Sequence, residues 1–161
     1  MIVVVMGVSG AGKTTVGSLL AGQLGWTFAD ADDFHPPSNV EKIRRGVPLS
    51  DDDRQPWLEG LRAEIARWII EGRNAVLACS ALKRSYRQEL EAGSEVRFVY
   101  LGGRADLIAE RVRSRRGHFA GEQILPSQLA DLEEPEDAVT VEITSNPQEI
   151  VAEIRQKLGL T

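Results

Sequence analysis

The chain has 161 residues, 42% hydrophobic and 27% charged, which suits one soluble globular domain and excludes a disordered or membrane protein. Its 19 lysines and arginines against 24 acidic residues give a net charge of -5, which excludes a general attraction to nucleic acid or anionic lipid. The single cysteine, Cys79, excludes an intrachain disulfide and favours a reducing compartment. We therefore expect a cytoplasmic protein.

Short apolar runs predict strands that alternate with helices. The β-branched run at residues 2–5 predicts a first strand buried on both faces of a parallel sheet, not a signal peptide. Further strands are predicted at 26–29, 75–79, 96–101 and 139–143, and helices at 13–24, 53–71, 83–92, 105–115 and 148–158. Pro56 is expected in the first turn of the long helix at 53–71. This alternation predicts one three-layer α/β domain over residues 1–161.

A phosphate-binding loop follows the first strand and precedes the first helix. Its motif G-x-x-x-x-G-K-[ST] is Gly7-Val8-Ser9-Gly10-Ala11-Gly12-Lys13-Thr14. Glycines allow the backbone amides to wrap a phosphate chain at a helix N-terminus. Lys13 is expected to bridge the β- and γ-phosphates of ATP, Thr14 to coordinate Mg²⁺ and Thr15 to contact the α-phosphate. A glycine-rich turn without a ligand is the alternative.

Acidic side chains follow the second predicted strand, at the sheet edge where open α/β sheets bind ligands. Asp30 is a candidate Mg²⁺ ligand, and Asp32 is a candidate to polarise the acceptor hydroxyl. Capping of the next turn is the alternative for either carboxylate. His35 is equally suited to a substrate contact and to packing.

Two cations are candidates for binding an anionic acceptor. Arg54 stands beside three aspartates at the start of the long helix, where the acids themselves suit helix capping. Lys83 follows the third strand, which ends without the usual Walker B aspartate and contains Cys79, expected to be a buried residue and not a nucleophile. Asp30 is thus the simplest carboxylate for the metal.

A basic cluster interrupts the otherwise acidic chain and predicts a lid at about residues 113–128. Its members are Arg104, Arg111, Arg113, Arg115, Arg116 and His118. Arginines there could close over ATP and neutralise charge on the transferring group, although a solvated helix face is the alternative. Pro147, between the last strand and the last helix, is a candidate to flank the adenine.

Together these residues resemble the gluconokinase family, in the shikimate-kinase-like branch of P-loop kinases. Besides the phosphate loop, the resemblance rests on Asp30-Ala31-Asp32, His35-Pro36, Asn39, Glu41-Lys42, the block Pro48 to Leu58, Cys79-Ser80-Ala81-Leu82-Lys83, Tyr86-Arg87 and Arg116-Gly117-His118-Phe119. It covers nearly the whole chain. Ala31 departs from the glycine that family members often have there.

The resemblance implies transfer of phosphate from ATP, with Mg²⁺, to D-gluconate, which yields 6-phospho-D-gluconate. It also implies a P-loop NTPase fold with a five-stranded parallel sheet in the order 2-3-1-4-5, a mobile lid and a homodimer. Similarity to shikimate kinases implies that Arg111 stacks on adenine, that Arg115 or the catalytic Arg116 reaches the phosphates, and that Asp32 and Arg54 hold the acceptor. His118 is a further candidate substrate contact.

Two other functions compete with this interpretation. A kinase for shikimate or a nucleoside monophosphate would share the ATP site but would need a different set of acceptor residues. The block Asp51-Asp52-Asp53-Arg54-Gln55-Pro56-Trp57-Leu58 argues against it. A non-enzymatic nucleotide switch would need neither an Asp-x-Asp pair nor an arginine-bearing lid.

Overall fold

The computed structural model describes residues 1–103, 121–143 and 146–160. Its centre is a five-stranded parallel sheet in the order β2-β3-β1-β4-β5, which confirms the predicted topology. The strands are β1 Ile2–Met6, β2 Thr27–Asp30, β3 Ala75–Ala78, β4 Val96–Gly102 and β5 Val139–Glu142. The helices are α1 Lys13–Leu24, α2 Pro37–Arg44, α3 Asp51–Ile70, α4 Arg84–Leu90, α5 Gly121–Asp131 and α6 Pro147–Leu158, with a 3-10 helix at Ala31–Phe34.

The central strand β1 is buried along its full length, as its β-branched sequence predicts. Val3 and Val5 pack into a core shared with α1 and α6. Ile2, Val4 and Met6 belong to a second core, on the α3 and α4 side. Successive side chains of a strand point to opposite faces, so one strand supports both cores and fixes the three-layer arrangement.

Helix α3 begins two residues earlier than predicted because Ser50 caps it. The Ser50 hydroxyl accepts a hydrogen bond from the Asp53 amide at 3.1 Å, and the Asp53 carboxylate accepts one from the Ser50 amide at 2.9 Å. Pro56 consequently lies inside the helix, and its predicted placement in the first turn is wrong. The missing amide of Pro56 leaves the Asp52 carbonyl without its helical partner, at an exposed residue that water can reach.

The other differences lie at element ends and in short helices. The Trp26 amide bonds to the Ala21 carbonyl, so Trp26 completes the end of α1 and β2 starts at Thr27. The 3-10 helix, α2 and α5 were not predicted as helices, whereas the helix predicted at 105–115 lies outside the described residues. The described residues include no helix that is both long and apolar enough to span a membrane.

Candidate active site

A cavity of about 470 Å³ opens at the carboxyl ends of β1, β2 and β3. The residues that line it come from the phosphate loop, the loop after β2, the start of α3, the loop after β3 and α5. They include Ser9, Gly10, Gly12, Lys13, Thr14, Thr15, Asp30, Asp32, His35, Arg54, Trp57, Ser80, Leu82, Ser127 and Gln128. Seven of the predicted site residues therefore share one cavity: Lys13, Thr14, Thr15, Asp30, Asp32, His35 and Arg54.

The phosphate loop turns on glycines. Gly12 caps the N-terminus of α1 with φ +95°, a left-handed conformation that disfavours side chains. At Gly7, a Cβ atom would lie 3.0 Å from the Leu101 carbonyl oxygen, so β4 leaves no space for one. Val8 and Ala11 are buried in the core and anchor the loop. The loop thereby exposes backbone amides and the Lys13 side chain toward the cavity.

Two contacts hold the loop in its present arrangement. The Lys13 ammonium donates to the Val8 carbonyl oxygen at 3.1 Å. The Ser9 amide donates to Oε1 of Gln128, on α5, at 2.6 Å. The uncharged side-chain oxygen of Gln128 thus accepts a hydrogen bond from the Ser9 amide. Backbone amides of this kind bind phosphate oxygens in such loops.

The side chains predicted for Mg²⁺ are adjacent. Thr14 Oγ1 donates to Oδ2 of Asp30 at 2.7 Å, and Oδ1 of Asp30 accepts from the Asp32 amide at 2.9 Å. Among the described residues, no group of three or more His, Cys, Asp or Glu side chains could hold a metal. Mg²⁺ fits this sparse oxygen set, because it keeps several waters and takes one or two protein ligands beside substrate phosphates.

His35 is held against Trp57 on the acceptor side of the cavity. The rings are stacked with centroids 4.5 Å apart and an interplanar angle of 9°, and Trp57 Nε1 donates to the Ala31 carbonyl at 2.7 Å. Burial, helped by the positive charge of Arg54, lowers the pKa of His35 to about 4. His35 is therefore a neutral imidazole near pH 7.

Arg54 is nearly buried, at 8% exposure, and still lines the cavity. Its Nη1 donates to the Tyr86 hydroxyl at 2.8 Å and to Oδ2 of Asp131 at 3.2 Å. Asp131 ends α5, so this ion pair joins the acceptor side to the helix that also contacts Ser9. A guanidinium held this way offers a fixed positive charge to an anionic acceptor.

Three other residues considered from the sequence lie apart from the cavity lining. Lys83 forms an ion pair with Asp51 at 2.9 Å, and Asp51 also accepts a hydrogen bond from Tyr86. Pro147 is the first residue of α6. Cys79 is buried, and burial raises the pKa of its thiol to about 12, which agrees with a packing role.

Comparisons with known proteins agree with this geometry. Residues 9–158 match the shikimate kinase family. A gluconokinase of Gluconobacter oxydans is 50% identical over 83% of this chain and 76% of its own. A probable gluconokinase of Xenopus tropicalis is 43% identical over 96% of this chain and 91% of its own. The chain belongs to the gluconokinase family. The predicted resemblance is therefore confirmed.

A solved gluconokinase supports the same assignment. The structure of a gluconokinase from Sinorhizobium meliloti superimposes with a TM-score of 0.85 at 41% identity, over 98% of this chain and 90% of that one. The match thus includes the elements that line the cavity on the phosphate-loop side and on the acceptor side. Of the predicted site residues, Arg111, Arg115, Arg116 and His118 lie outside the described residues.

Sequence reasoning assigned no role to several residues that shape this gluconokinase-family site. Trp57 was named only within the block Asp51 to Leu58, yet it stacks on His35. Asn39 was noted in the resemblance without a function, and Ser127 and Gln128 were not singled out. A conspicuous motif marks none of them. The capping sequence at Ser50 was the available signal, because it fixes the start of α3, the helix on which Arg54 and Trp57 are buried.

Proposed function

We propose that this protein transfers the γ-phosphoryl group of ATP to D-gluconate and forms ADP and 6-phospho-D-gluconate. The observation that carries the proposal is the single cavity in which the phosphate loop meets Asp32, His35 and Arg54, in a gluconokinase-family chain. In the reaction, the acceptor hydroxyl oxygen bonds to the γ-phosphorus while the bond from that phosphorus to the β–γ bridging oxygen breaks. The hydroxyl proton leaves toward Asp32.

The phosphate loop forms the donor half of the proposed site. Its backbone amides and Lys13 bind and neutralise the phosphate oxygens, and Lys13 exchanges its contact with the Val8 carbonyl for the β- and γ-phosphates. Thr14 and Asp30 are the residues that would hold Mg²⁺, which supplies positive charge to the phosphate oxygens when bound. Thr15 lies beside them for the α-phosphate.

Asp32, His35 and Arg54 form the acceptor half of the proposed site. Asp32 orients the hydroxyl, and the fixed guanidinium of Arg54 pairs with the carboxylate of the sugar acid. His35 is a neutral hydrogen-bonding group that lines the same cavity. Arg111, Arg115, Arg116, His118, Lys83 and Pro147 remain proposed from the sequence for the adenine, the phosphates or the acceptor.

The names of the relatives favour D-gluconate over shikimate or a nucleoside monophosphate as the acceptor. The relatives that share 43–50% identity with this chain carry the gluconokinase name, whereas the shikimate kinase match is at the level of the broader family. We expect ³¹P NMR of the product made from D-gluconate and magnesium ATP to show a phosphomonoester on the 6-hydroxyl. A product phosphorylated at another oxygen would contradict the proposed orientation of the acceptor.

We further propose one kinase domain, with a lid at about residues 113–128, that acts in the cytoplasm as a homodimer. The unpaired, buried Cys79 supports a reducing compartment, and the homodimer follows from the family resemblance. Residues 121–128 of the proposed lid lie in α5, which contacts the phosphate loop through Gln128. Sedimentation equilibrium should give a mass near twice the 17.7 kDa of one chain.

Gln128 is expected to compete with the nucleotide. ATP must displace its side-chain oxygen to reach the Ser9 amide, so Gln128→Ala should tighten ATP binding by about fivefold, the value of one net hydrogen bond of about 1 kcal/mol. Titration calorimetry with magnesium ATP measures this change. Gln156→Ala, at an exposed position on α6, is the matched control. Weaker binding by Gln128→Ala would mean that Gln128 contacts the nucleotide instead.

A further inference from the structure

Asn39 connects α2 to the acceptor side of the cavity. Its side chain is almost fully buried, and the residue is 2% exposed. Its Nδ2 donates to the Asp53 carbonyl oxygen at 2.7 Å and lies 3.2 Å from Nδ1 of His35. One carboxamide nitrogen therefore faces both a backbone carbonyl and an imidazole nitrogen.

This pair of contacts determines the protonation of His35. A carbonyl oxygen can only accept a hydrogen bond, so the Asp53 carbonyl requires the NH₂ group of Asn39, not its oxygen, on that side. The same NH₂ group then directs its second hydrogen at Nδ1 of His35, which must accept it. Nδ1 carries no proton in that arrangement, and the imidazole proton resides on Nε2.

The surrounding contacts make the arrangement rigid. Asp53 is fixed by the capping contact with Ser50 and by an ion pair with Lys42 at 2.8 Å, so its carbonyl is anchored at the start of α3. Trp57 stacks on the His35 ring. Asn39, Asp53 and Trp57 thus fix the imidazole from two helices.

The Nε2–H group has no hydrogen-bond partner among the described residues. Every fully buried side-chain nitrogen or oxygen of the described residues has a partner, so Nε2 is not fully buried. Since His35 lines the cavity, Nε2 is accessible from it. Among the described residues, the charged side chains that line the same cavity are Lys13, Asp30, Asp32 and Arg54. Burial and the positive charge of Arg54 lower the pKa of His35 and so disfavour the charged imidazolium.

We propose that Asn39 is a positioning residue that fixes His35 as the Nε2–H tautomer, so that His35 presents a neutral hydrogen-bond donor to an oxygen of the sugar-acid acceptor. This role rests on the proposed function for the identity of the acceptor. A neutral donor binds a hydroxyl or carboxylate oxygen and adds no second cation beside Arg54. It therefore contributes selectivity for a polyhydroxy acid without repelling the guanidinium.

Long-range ¹H–¹⁵N NMR of the imidazoles tests the tautomer directly. The chain has two histidines, so comparison with His35→Gln assigns the signals of His35. We expect Nδ1 of the wild-type protein to give the shift of an unprotonated acceptor nitrogen at pH 7, and D-gluconate to move the Nε2 signal. An Nδ1–H tautomer, titration near the ordinary pKa of about 6.5, or an unmoved Nε2 signal with saturating D-gluconate would each overturn the proposal.

Variants at Asn39 provide the second test. Asn39→Asp keeps the size of the side chain but offers Nδ1 an acceptor, so the Nδ1–H form should appear and the pKa of His35 should rise from about 4. KM for D-gluconate should rise about fivefold, the loss of one net hydrogen bond, with little change in kcat or in KM for ATP. Asn39→Ala should also raise KM, whereas Ser38→Ala, an exposed neighbour on α2, should not.

The two parts of the hypothesis fail separately. If Asn39→Asp retained the Nε2–H tautomer and the wild-type KM, the positioning role would be wrong even in an active gluconate kinase. If the wild-type protein did not phosphorylate D-gluconate, the proposed function would fail, and the NMR signals of the unliganded protein would still report on the tautomer.

Discussion

Replacing Lys13 with alanine is expected to lower kcat by about 10²–10³-fold or more. Lys13 lines the cavity and is the one cationic side chain in the phosphate-loop motif. Negative charge on the β–γ bridging oxygen and the phosphoryl oxygens rearranges as the bond breaks, and a fixed cation stabilises that state more than the ground state. The loss should therefore appear in kcat, measured by ADP release with saturating ATP and D-gluconate.

Lys157→Ala is the matched control for Lys13→Ala. Lys157 lies on α6 and donates to the Thr140 carbonyl, away from the cavity, so removing its charge should leave kcat unchanged. A kcat near the wild-type value in Lys13→Ala would contradict the assignment of the phosphate loop. A folded protein, shown by an unchanged circular dichroism spectrum, is required for either conclusion.

Asp32→Asn is expected to reduce kcat by about 100-fold or more, while ATP affinity changes little. The carboxylate lies in the loop after β2 and lines the cavity, and its backbone amide is fixed by Asp30. An amide keeps the shape of the side chain but is a poor proton acceptor, so the substitution isolates the proposed chemical role. Steady-state kinetics with varied D-gluconate, and ATP titration of the variant, separate the two effects.

Asp33→Asn provides a control with the same change of charge at the next position. Asp33 is exposed and is not part of the cavity lining, so its variant should behave like the wild type. If Asp32→Asn weakened ATP or Mg²⁺ binding and left kcat with saturating ligands intact, Asp32 would belong to the metal site instead of the acceptor.

The layered fold could be predicted because its signals are local and strong. The run Ile2–Val5 has no polar position, which is typical of a strand covered on both faces, and the glycine-rich loop separates it from an uninterrupted helix. The strand order came from the family resemblance, since periodicity does not determine which strands pair.

Elements whose ends depend on side-chain contacts were predicted less well. Pro56 argued for a later start of α3, but the reciprocal hydrogen bonds of Ser50 and Asp53 start the helix at Asp51 and tolerate a proline in its second turn. The 3-10 helix Ala31–Phe34 and the short α2 contain aspartates, prolines and few apolar residues, so no hydrophobic period reveals them.

The residues around the cavity differ in the same way: local sequence patterns placed some of them, and only tertiary packing brings the others together. Asp30, Asp32 and His35 could be placed at the sheet edge because parallel strands end there together. Lys83 was equally well placed by its strand, yet it pairs with Asp51 and does not line the cavity. The contact between Ser9 and Gln128 spans 119 positions and depends on the packing of α5, which no spacing in the sequence encodes.

The measurement that tests the central claim most directly is kcat/KM for a panel of acceptors. Turnover is monitored by a coupled assay of ADP release with magnesium ATP. The panel is D-gluconate, shikimate, glucose, glycerate and nucleoside monophosphates. We predict turnover of D-gluconate far above that of every other acceptor, because Arg54 and His35 together suit a polyhydroxy carboxylate. Turnover of another acceptor with none of D-gluconate, or ATP binding without turnover of any, would contradict the account.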